Sequence, residues 1–382
     1  MTNSQCSMPD SQGGGPSPGP SPSDLDNEHS AFDIGRSSEF PPGRLPAGAR
    51  PQWLELELPD GYRTPVCCFA PEKSGQLPFS AAENGNCPDF PLPVLYLHGI
   101  QSHPGWFVGL AAALSARGHP VYLVTRRGSG RNRLARGHAA SARQLLDDVE
   151  AACRFVLAHA GAGRLHLLGV SGGGKLVAAY AARRRALLVP AAGLEPRRGG
   201  PAPGENGGTP PLPESVSAIA SLTLVAPGIV SRVDLPWRTK VAVGACALLC
   251  PRREFDIPLG EPALFTENAA MQEFIRQDGL SLRHATARFL FASRVLDRMI
   301  RRAPRGAIVV PTTLLLAPRD RIIDSAATRE EVQRLTAGRC NVRELPGAHT
   351  LEFEADPVAL YGAMAESLSG FAVEDQGAGR RE

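Results

Sequence analysis

Short apolar runs alternate with helical patterns from the end of a polar N-terminal stretch to residue 372, and this alternation restricts the chain to a mostly parallel sheet covered by helices on both faces. Strands are expected at Trp53–Leu58, Tyr62–Ala70, Pro93–Leu97, Pro120–Thr125, Arg164–Leu168, Ser221–Val225, Thr312–Leu316 and Asn341–Leu345. The first two flank "PDG", a turn sequence suited to an antiparallel pair. Helices are expected over Gly105–Ala116, Ala140–Ala160, Gly172–Arg184, Ala326–Ala337 and Pro357–Ser369. One segment breaks the alternation. From Val230 to Arg302, between the sixth and seventh strands, the pattern stays helical with no convincing buried strand. That is too long for a simple crossover, so it predicts a helical cap over the carboxyl edge of the sheet.

The 382 residues suffice for one large domain with an insertion or for two modest ones. Residues 1–45 are rich in Gly, Pro, Ser and Asp and would bury too little apolar surface to offset lost entropy, so a disordered tail is expected. The same composition returns at 183–214, between segments that continue one pattern, which reads as a flexible surface insertion. The expected organisation is therefore a core of 46–229 and 303–372, a cap over 230–302, and a short tail at 373–382.

A net charge of +3, from 41 basic and 38 acidic residues, is too balanced for the clustered field that nucleic-acid binding needs. The eight cysteines are scattered rather than densely paired, and Cys246 and Cys250 have no second pair at zinc spacing, so free thiols and no metal are expected. The longest strongly apolar run, Val241–Cys250, is about half the length of a membrane span. Residues 1–30 carry neither a basic nor an apolar signal region, so a cytoplasmic location is the expectation.

The segment "RLHLLGVSGGGKLVAAYAARR" carries the chemistry. An apolar strand runs into G-x-S-x-G, Gly169 to Gly173, and then into an Ala-rich helix. In such an elbow the flanking glycines Gly169 and Gly173 remove side chains that would collide with neighbouring elements, and Ser171 is presented as a nucleophile. A serine hydroxyl needs a base, and the base an orienting acid, in the chain order Ser, Asp or Glu, His. The loop after the seventh strand, "APRDRIIDSAATREE", offers Asp320 and Asp324. Asp320 lies nearer the strand end, whereas Asp324 precedes a helical run and reads as its N-cap. The loop after the eighth strand, "PGAHTLEFEADP", offers His349 as general base. "VLYLHGIQSHPGWF" is a buried strand ending in His-Gly, which makes the Ile100 and Gly172 amides the expected oxyanion donors.

Gly169, Gly174 and Lys175 also fit the phosphate-loop pattern G-x-x-x-x-G-K, which raises a nucleotide binder as a distant alternative. Leu176 stands where a magnesium-binding Ser or Thr belongs, no Walker B acid follows, and the motif comes after the fifth strand. Lys175 is therefore read as a helix residue with a solvated head.

Taken together, "HGIQSHPGWF", "RRGSGRN", Gly169–Gly173, "RDRIID" and "GAHTLEFE" resemble the monoacylglycerol lipase and lysophospholipase-like branch of the α/β-hydrolases, which includes serine aminopeptidase relatives. The resemblance covers about residues 50–370. It implies an α/β-hydrolase fold with an eight-stranded, mostly parallel sheet and a helical cap between strands six and seven. It also implies a small-molecule or lipid-like ester substrate, no cofactor and no obligate protein partner. A serine aminopeptidase or a small-ester carboxylesterase is the alternative on the same fold. The sequence departs from the family in having Gly172 after the serine, where a bulky residue is frequent, and Thr125 where an Asp is common. The cap carries "VAVGACALLCP" with Phe265, Phe274, Phe289, Phe291 and Leu296, which are expected to line an acyl tunnel. Should the apolar run instead lie exposed, it would suit transient contact with a membrane surface.

Overall fold

The structure, a computed structural model, describes residues 39–71, 91–188 and 218–369. The tails at 1–38 and 370–382 and most of the expected 183–214 insertion, from 189 on, lie outside the described residues.

Eight strands form one sheet in the order β1-β2-β4-β3-β5-β6-β9-β10. They are β1 Gln52–Glu57, β2 Arg63–Phe69, β3 Val94–Leu97, β4 Val121–Val124, β5 Leu165–Val170, β6 Ile219–Val225, β9 Thr312–Leu316 and β10 Cys340–Glu344. The two contacts of β2, with β1 and β4, are antiparallel, and the other pairs are parallel. β3, β4, β5, β6 and β9 are buried along their whole length, as strands covered on both faces must be. The edge strands β1 and β10 are partly exposed.

β3 lies between β4 and β5, so the chain leaves its carboxyl end on one side of the sheet and returns on the other. At such a reversal the crevice past the strand ends stays open, and ligands bind there. The helices of the core are α1 Val108–Ser115, α2 Ala142–Ala160, α3 Gly172–Leu188, α7 Ser325–Leu335 and α8 Val358–Ser369. Local chemistry sets their ends. Ser141 caps α2 by accepting from the Gln144 amide at 3.1 Å, and Gly161 closes it at φ 61°. Because α3 runs to Leu188, the first residues of the expected insertion are helical.

Between β6 and β9 the chain builds α4 Trp237–Leu249, β7 Glu254–Asp256, α5 Ala269–Gln277, β8 His284–Thr286 and α6 Ala287–Arg302. This cap differs from the helical expectation in its antiparallel β7–β8 ribbon. The ribbon strands have three residues each, and β7 is largely exposed, so neither leaves an apolar run for the sequence to reveal. Among the described residues no helix is long and apolar enough to cross a membrane.

Residues 39–45, assigned by composition to the tail, belong to the folded core. Phe40 and Leu45 pack against it, Arg44 donates to the Glu354 carbonyl, and Arg131 pairs with Glu39. A few well-placed contacts outweigh the Pro/Gly-rich composition there.

One buried carboxyl couples this core to pH. Glu352 is fully enclosed, its Oε1 accepting from the Leu110 amide at 2.7 Å and from the Tyr361 hydroxyl at 3.1 Å, so it caps the first turn of α1 from across the fold. Burial pushes its carboxyl up to about 7, against the opposing effect of these hydrogen bonds. The folded protein then holds a proton more tightly than the unfolded chain. Stability from this group is full below the ordinary Glu range and falls as pH rises through it to about 7, by roughly 3 kcal/mol in all. Glu352→Gln should therefore melt a few degrees above the wild type at pH 8 and not at pH 5; parallel pH profiles of the two melting temperatures would contradict this.

Candidate active site

β5 passes into α3 through Ser171, whose φ of 51° lies in the left-handed region that favours glycine. Three backbone bonds hold it there. Its amide donates to the Val225 carbonyl at 3.0 Å, and its carbonyl accepts from Gly228 at 2.7 Å and Lys175 at 3.0 Å. The elbow also needs bare backbone. A Cβ on Gly173 would stand 2.2 Å from the Leu97 carbonyl oxygen, and one on Gly169 would stand 2.6 Å from Val177 Cγ2.

His349, on the loop after β10, lies with Nε2 2.8 Å from Ser171 Oγ and Nδ1 2.7 Å from Asp320 Oδ2. The serine hydroxyl donates to Nε2, and Nδ1–H donates to the carboxylate. The second oxygen of Asp320 accepts from the amides of Ile322 at 2.8 Å and Ile323 at 2.9 Å, which fixes the carboxylate plane. Both His349 and Asp320 are buried, so water does not compete for these bonds. Asp324 points elsewhere and accepts from the Ala327 amide at 3.0 Å as the N-cap of α7. The structure thus brings Ser171, His349 and Asp320 together and leaves Asp324 outside.

The loop after β3 passes over the serine. A Cβ on Gly99 would stand 3.2 Å from Ser171 Cβ, and one on Gly172 would stand 2.9 Å from the Ile100 nitrogen. The bulky residue frequent after the nucleophile in the resembling family has no room here, which accounts for Gly172. Ile100 and Gly172, the expected oxyanion donors, are therefore neighbours beside Ser171.

Ser171 opens onto a cavity of about 150 Å3 walled by core residues such as Leu145, Leu176 and Ile323 and by cap residues such as Ile257, Phe289 and Leu296. A smaller cleft of about 10 Å3 lies on the His349 side, walled by Trp106, Phe107, Leu259 and Phe265. The expected tunnel residues divide accordingly. Phe289 and Leu296 line the larger cavity and Phe265 the smaller cleft, whereas Phe274 packs on Trp106 and Phe353, and Phe291 is exposed. The run 241–250 lines neither, and only Val243 and Ala247 of α4 are buried.

Lys175, expected to be solvated, is instead tied down. Its Nζ donates to Asp297 Oδ1 and Ser293 Oγ, both at 2.9 Å, joining the elbow helix α3 to the cap helix α6. Composition and spacing offered no sign of that partner, which lies in a different segment. A second link between core and cap was also missed. The buried Asp278 carboxylate accepts from Trp106 Nε1 at 2.8 Å, from Ser281 Oγ at 2.7 Å and from His103 Nε2 at 3.1 Å. Burial would raise this carboxyl, but those donors outweigh it and hold it well below the usual range. Among the described residues no group of three or more His, Cys, Asp or Glu side chains could hold a metal ion.

This geometry separates the two aspartates by experiment. Asp320→Asn should leave the melting temperature nearly unchanged and lower turnover by about four orders of magnitude, since the imidazole loses the acceptor that fixes its tautomer. Asp324→Ala should cost about 1 kcal/mol of stability with turnover largely kept. The reverse pattern would move the acid to Asp324.

Residues 92–198 match the family described as Serine aminopeptidase, S33. A search of curated proteins finds no match. Among solved structures, the chain is similar to a soluble variant of monoglyceride lipase from Saccharomyces cerevisiae in complex with a substrate analog. The TM-score is 0.65 at 16% identity, over 87% of this chain and 98% of that one. It is similar also to the monoacylglycerol lipase of Paleococcus ferrophilus, with a TM-score of 0.59 at 18% identity over 74% and 97% of the two chains. A third likeness is to the alpha/beta hydrolase GrgF from Penicillium sp. sh18, with a TM-score of 0.57 at 15% identity over 85% and 99%. The order of the sheet, the serine elbow at its crevice and these neighbours establish that the chain has the α/β-hydrolase fold.

Proposed function

We propose that the chain is a serine hydrolase that cleaves carboxylic esters with lipid-like acyl groups, using Ser171 as nucleophile, His349 as general base and Asp320 as its orienting acid. The observation that carries this reading is the hydrogen-bonded run Ser171–His349–Asp320 opening onto an apolar cavity. Ser171 Oγ attacks the ester carbonyl while its proton passes to His349 Nε2. The amides of Ile100 and Gly172 receive the negative charge that forms on the carbonyl oxygen. As the tetrahedral species collapses, the ester C–O bond breaks, and His349 returns the proton to the leaving alcohol. Water, deprotonated by His349, then attacks the acyl-enzyme, and the acid leaves as Ser171 regains its proton. No step calls for a cofactor.

The cap, residues 230–302 in this reading, supplies the substrate preference. Ile257, Leu259, Phe289 and Leu296 face Ser171 from above, and each methylene moved from water to such a wall contributes about 0.8 kcal/mol. The S33 match raises the alternative of a serine aminopeptidase. The cavity disfavours it: its charged wall residues are Arg126 and Lys175, both cationic, and no carboxylate among the described residues lines it to receive a free amino group.

The outer face of α4 supports a further part of the proposal, transient contact with a bilayer. Trp237, Val241, Ala245 and Leu248 recur at helical spacing and stand exposed, Leu248 to 77% and Trp237 to 69%. Exposed Arg238, Arg252 and Arg253 flank them, which suits anionic headgroups. The cysteines among the described residues are free thiols, with Cys67 and Cys68 fully buried, which fits a reducing compartment, and the cytoplasm completes the proposal.

A fluorophosphonate probe should label the wild type and not Ser171→Ala; equal labelling would remove Ser171 from its role. Specificity constants for glycerol esters should rise by about 10- to 15-fold per added two-carbon unit until the cavity fills, as about 0.8 kcal/mol per methylene requires. A series that falls beyond short acids, with faster turnover of aminoacyl anilides, would favour the peptidase. Vesicles containing anionic phospholipid should retain the wild type, and a Trp237→Ser, Leu248→Ser double variant should bind them several-fold less while hydrolysing a soluble short-chain ester at an unchanged rate. Equal retention of both proteins would place the contact elsewhere.

A further inference from the structure

Arg126, at the carboxyl end of β4, is a buried guanidinium beside the cavity of Ser171. A buried cation ordinarily pairs with a carboxylate. Among the described residues Arg126 meets no carboxylate. Its Nη2 donates to the carbonyl of Gly99 at 2.8 Å and to that of Ile100 at 3.1 Å and reaches Ser129 Oγ at 3.5 Å, while its Nε has no partner among those residues. By contrast the adjacent Arg127 is clamped by two carboxylates, Asp60 and Asp148, as a structural arginine would be. The placement of Arg126 is itself tightly specified. Its amide donates to His98 Nε2 at 3.0 Å, and its carbonyl accepts from Asn132 Nδ2 at 3.1 Å. With Nε2 accepting, the other ring nitrogen of neutral His98 carries the proton and donates to the same Gly99 carbonyl at 2.9 Å. Burial, and next the Arg126 charge, holds the imidazole well below its ordinary range and so keeps it neutral. Burial lowers Arg126 to about 10, which leaves it charged at neutral pH.

The carbonyl that receives both donors belongs to the Gly99–Ile100 peptide. The opposite end of that peptide is the Ile100 N–H, which stands beside Gly172 at the serine. We propose that Arg126 is a positioning residue for catalysis: its charge orients and polarises the Gly99–Ile100 peptide so that the Ile100 N–H is a stronger donor to the oxyanion formed on Ser171. A cation on the carbonyl oxygen draws electron density through the amide, and hydrogen bonds in such a chain strengthen one another. Because the guanidinium is fixed before substrate arrives, no reorganisation is needed when the charge develops. A charge left without a carboxylate costs folding free energy, and a site that needs it is where such a cost persists. The inference rests on the serine-hydrolase reading above.

Three variants test it with a soluble short-chain ester. Arg126→Gln keeps a donor to the carbonyls without the charge, and Arg126→Lys keeps the charge without the fork. Arg126→Gln should lower kcat by about 10- to 100-fold, less than the loss of an oxyanion donor itself, with KM within about twofold. Its affinity for a trifluoromethyl ketone, which places an oxyanion in the site, should fall by the same factor. Arg126→Lys should recover most of kcat. Unchanged kcat in Arg126→Gln, a change confined to KM, or ketone affinity that does not follow kcat overturns the proposal. Should the glutamine variant not fold, the lysine variant decides alone: kcat within about tenfold of the wild type sustains the assignment, and a larger fall in a folded protein overturns it. Ser171→Ala, assayed alongside, separates the two readings. If it retains turnover, the serine reading fails and this one with it; if it is inactive while Arg126→Gln matches the wild type, only this inference fails.

Discussion

Everything in the site depends on how closely the backbone packs around Ser171. The serine sits at a positive φ between the ends of β3 and β6, its amide tied to Val225 and its carbonyl to Gly228. Gly173 lies so close to the Leu97 carbonyl that no Cβ fits, and a Cβ on Gly172 would crowd the Ile100 nitrogen at 2.9 Å. A strained residue persists only where its surroundings over-determine it, and here three strands do so. The strain presents the hydroxyl above the sheet, where the loop after β10 delivers His349. Loosening any of these approaches would move the Ser171 hydroxyl relative to His349 and to the amides opposite.

A second layer of buried polar groups holds the loops that this packing needs. Asp320 is oriented by two amides of its own loop, the Gly99 carbonyl by Arg126 and His98, and Asp278 by three side-chain donors from two segments. Each is a charged or polar group removed from water, which is unfavourable unless its bonds are complete. The cap is fastened by the same means. Lys175 bonds Asp297 one turn after Ser171, and Trp106 and His103 bond Asp278 next to the loop that carries Ile100. The cap and the loops around Ser171 are thus mechanically connected, with apolar contact filling the space between them.

The cap also has two unlike faces. Its inner residues Ile257, Phe289 and Leu296 wall the cavity, whereas α4 turns Trp237, Val241 and Leu248 to solvent. Apolar surface facing both the cavity and solvent fits the lipid-like ester substrate proposed above.

What the sequence determined by itself is what local pattern can carry. The eight strands of the sheet were legible within a few residues, the inner ones because burial on both faces leaves near-continuous apolar runs, and the separation of Asp320 from Asp324 followed from helix-capping chemistry. Ser171, Gly169, Gly173 and His349 were legible because a strained turn and a loop at a strand end tolerate few residue types. The β7–β8 ribbon was not, being three residues on each side with β7 largely exposed. Nor were the docking of residues 39–45, the pairing of Lys175 with Asp297, or the hydrogen-bond partners of Asp278 and Arg126. Lys175 and Asp297 stand 122 positions apart, and Trp106 and Asp278 172. No periodicity or propensity spans such a distance. Only the folded sheet, by bringing its strand ends and its cap to one crevice, decided which of many polar residues would meet.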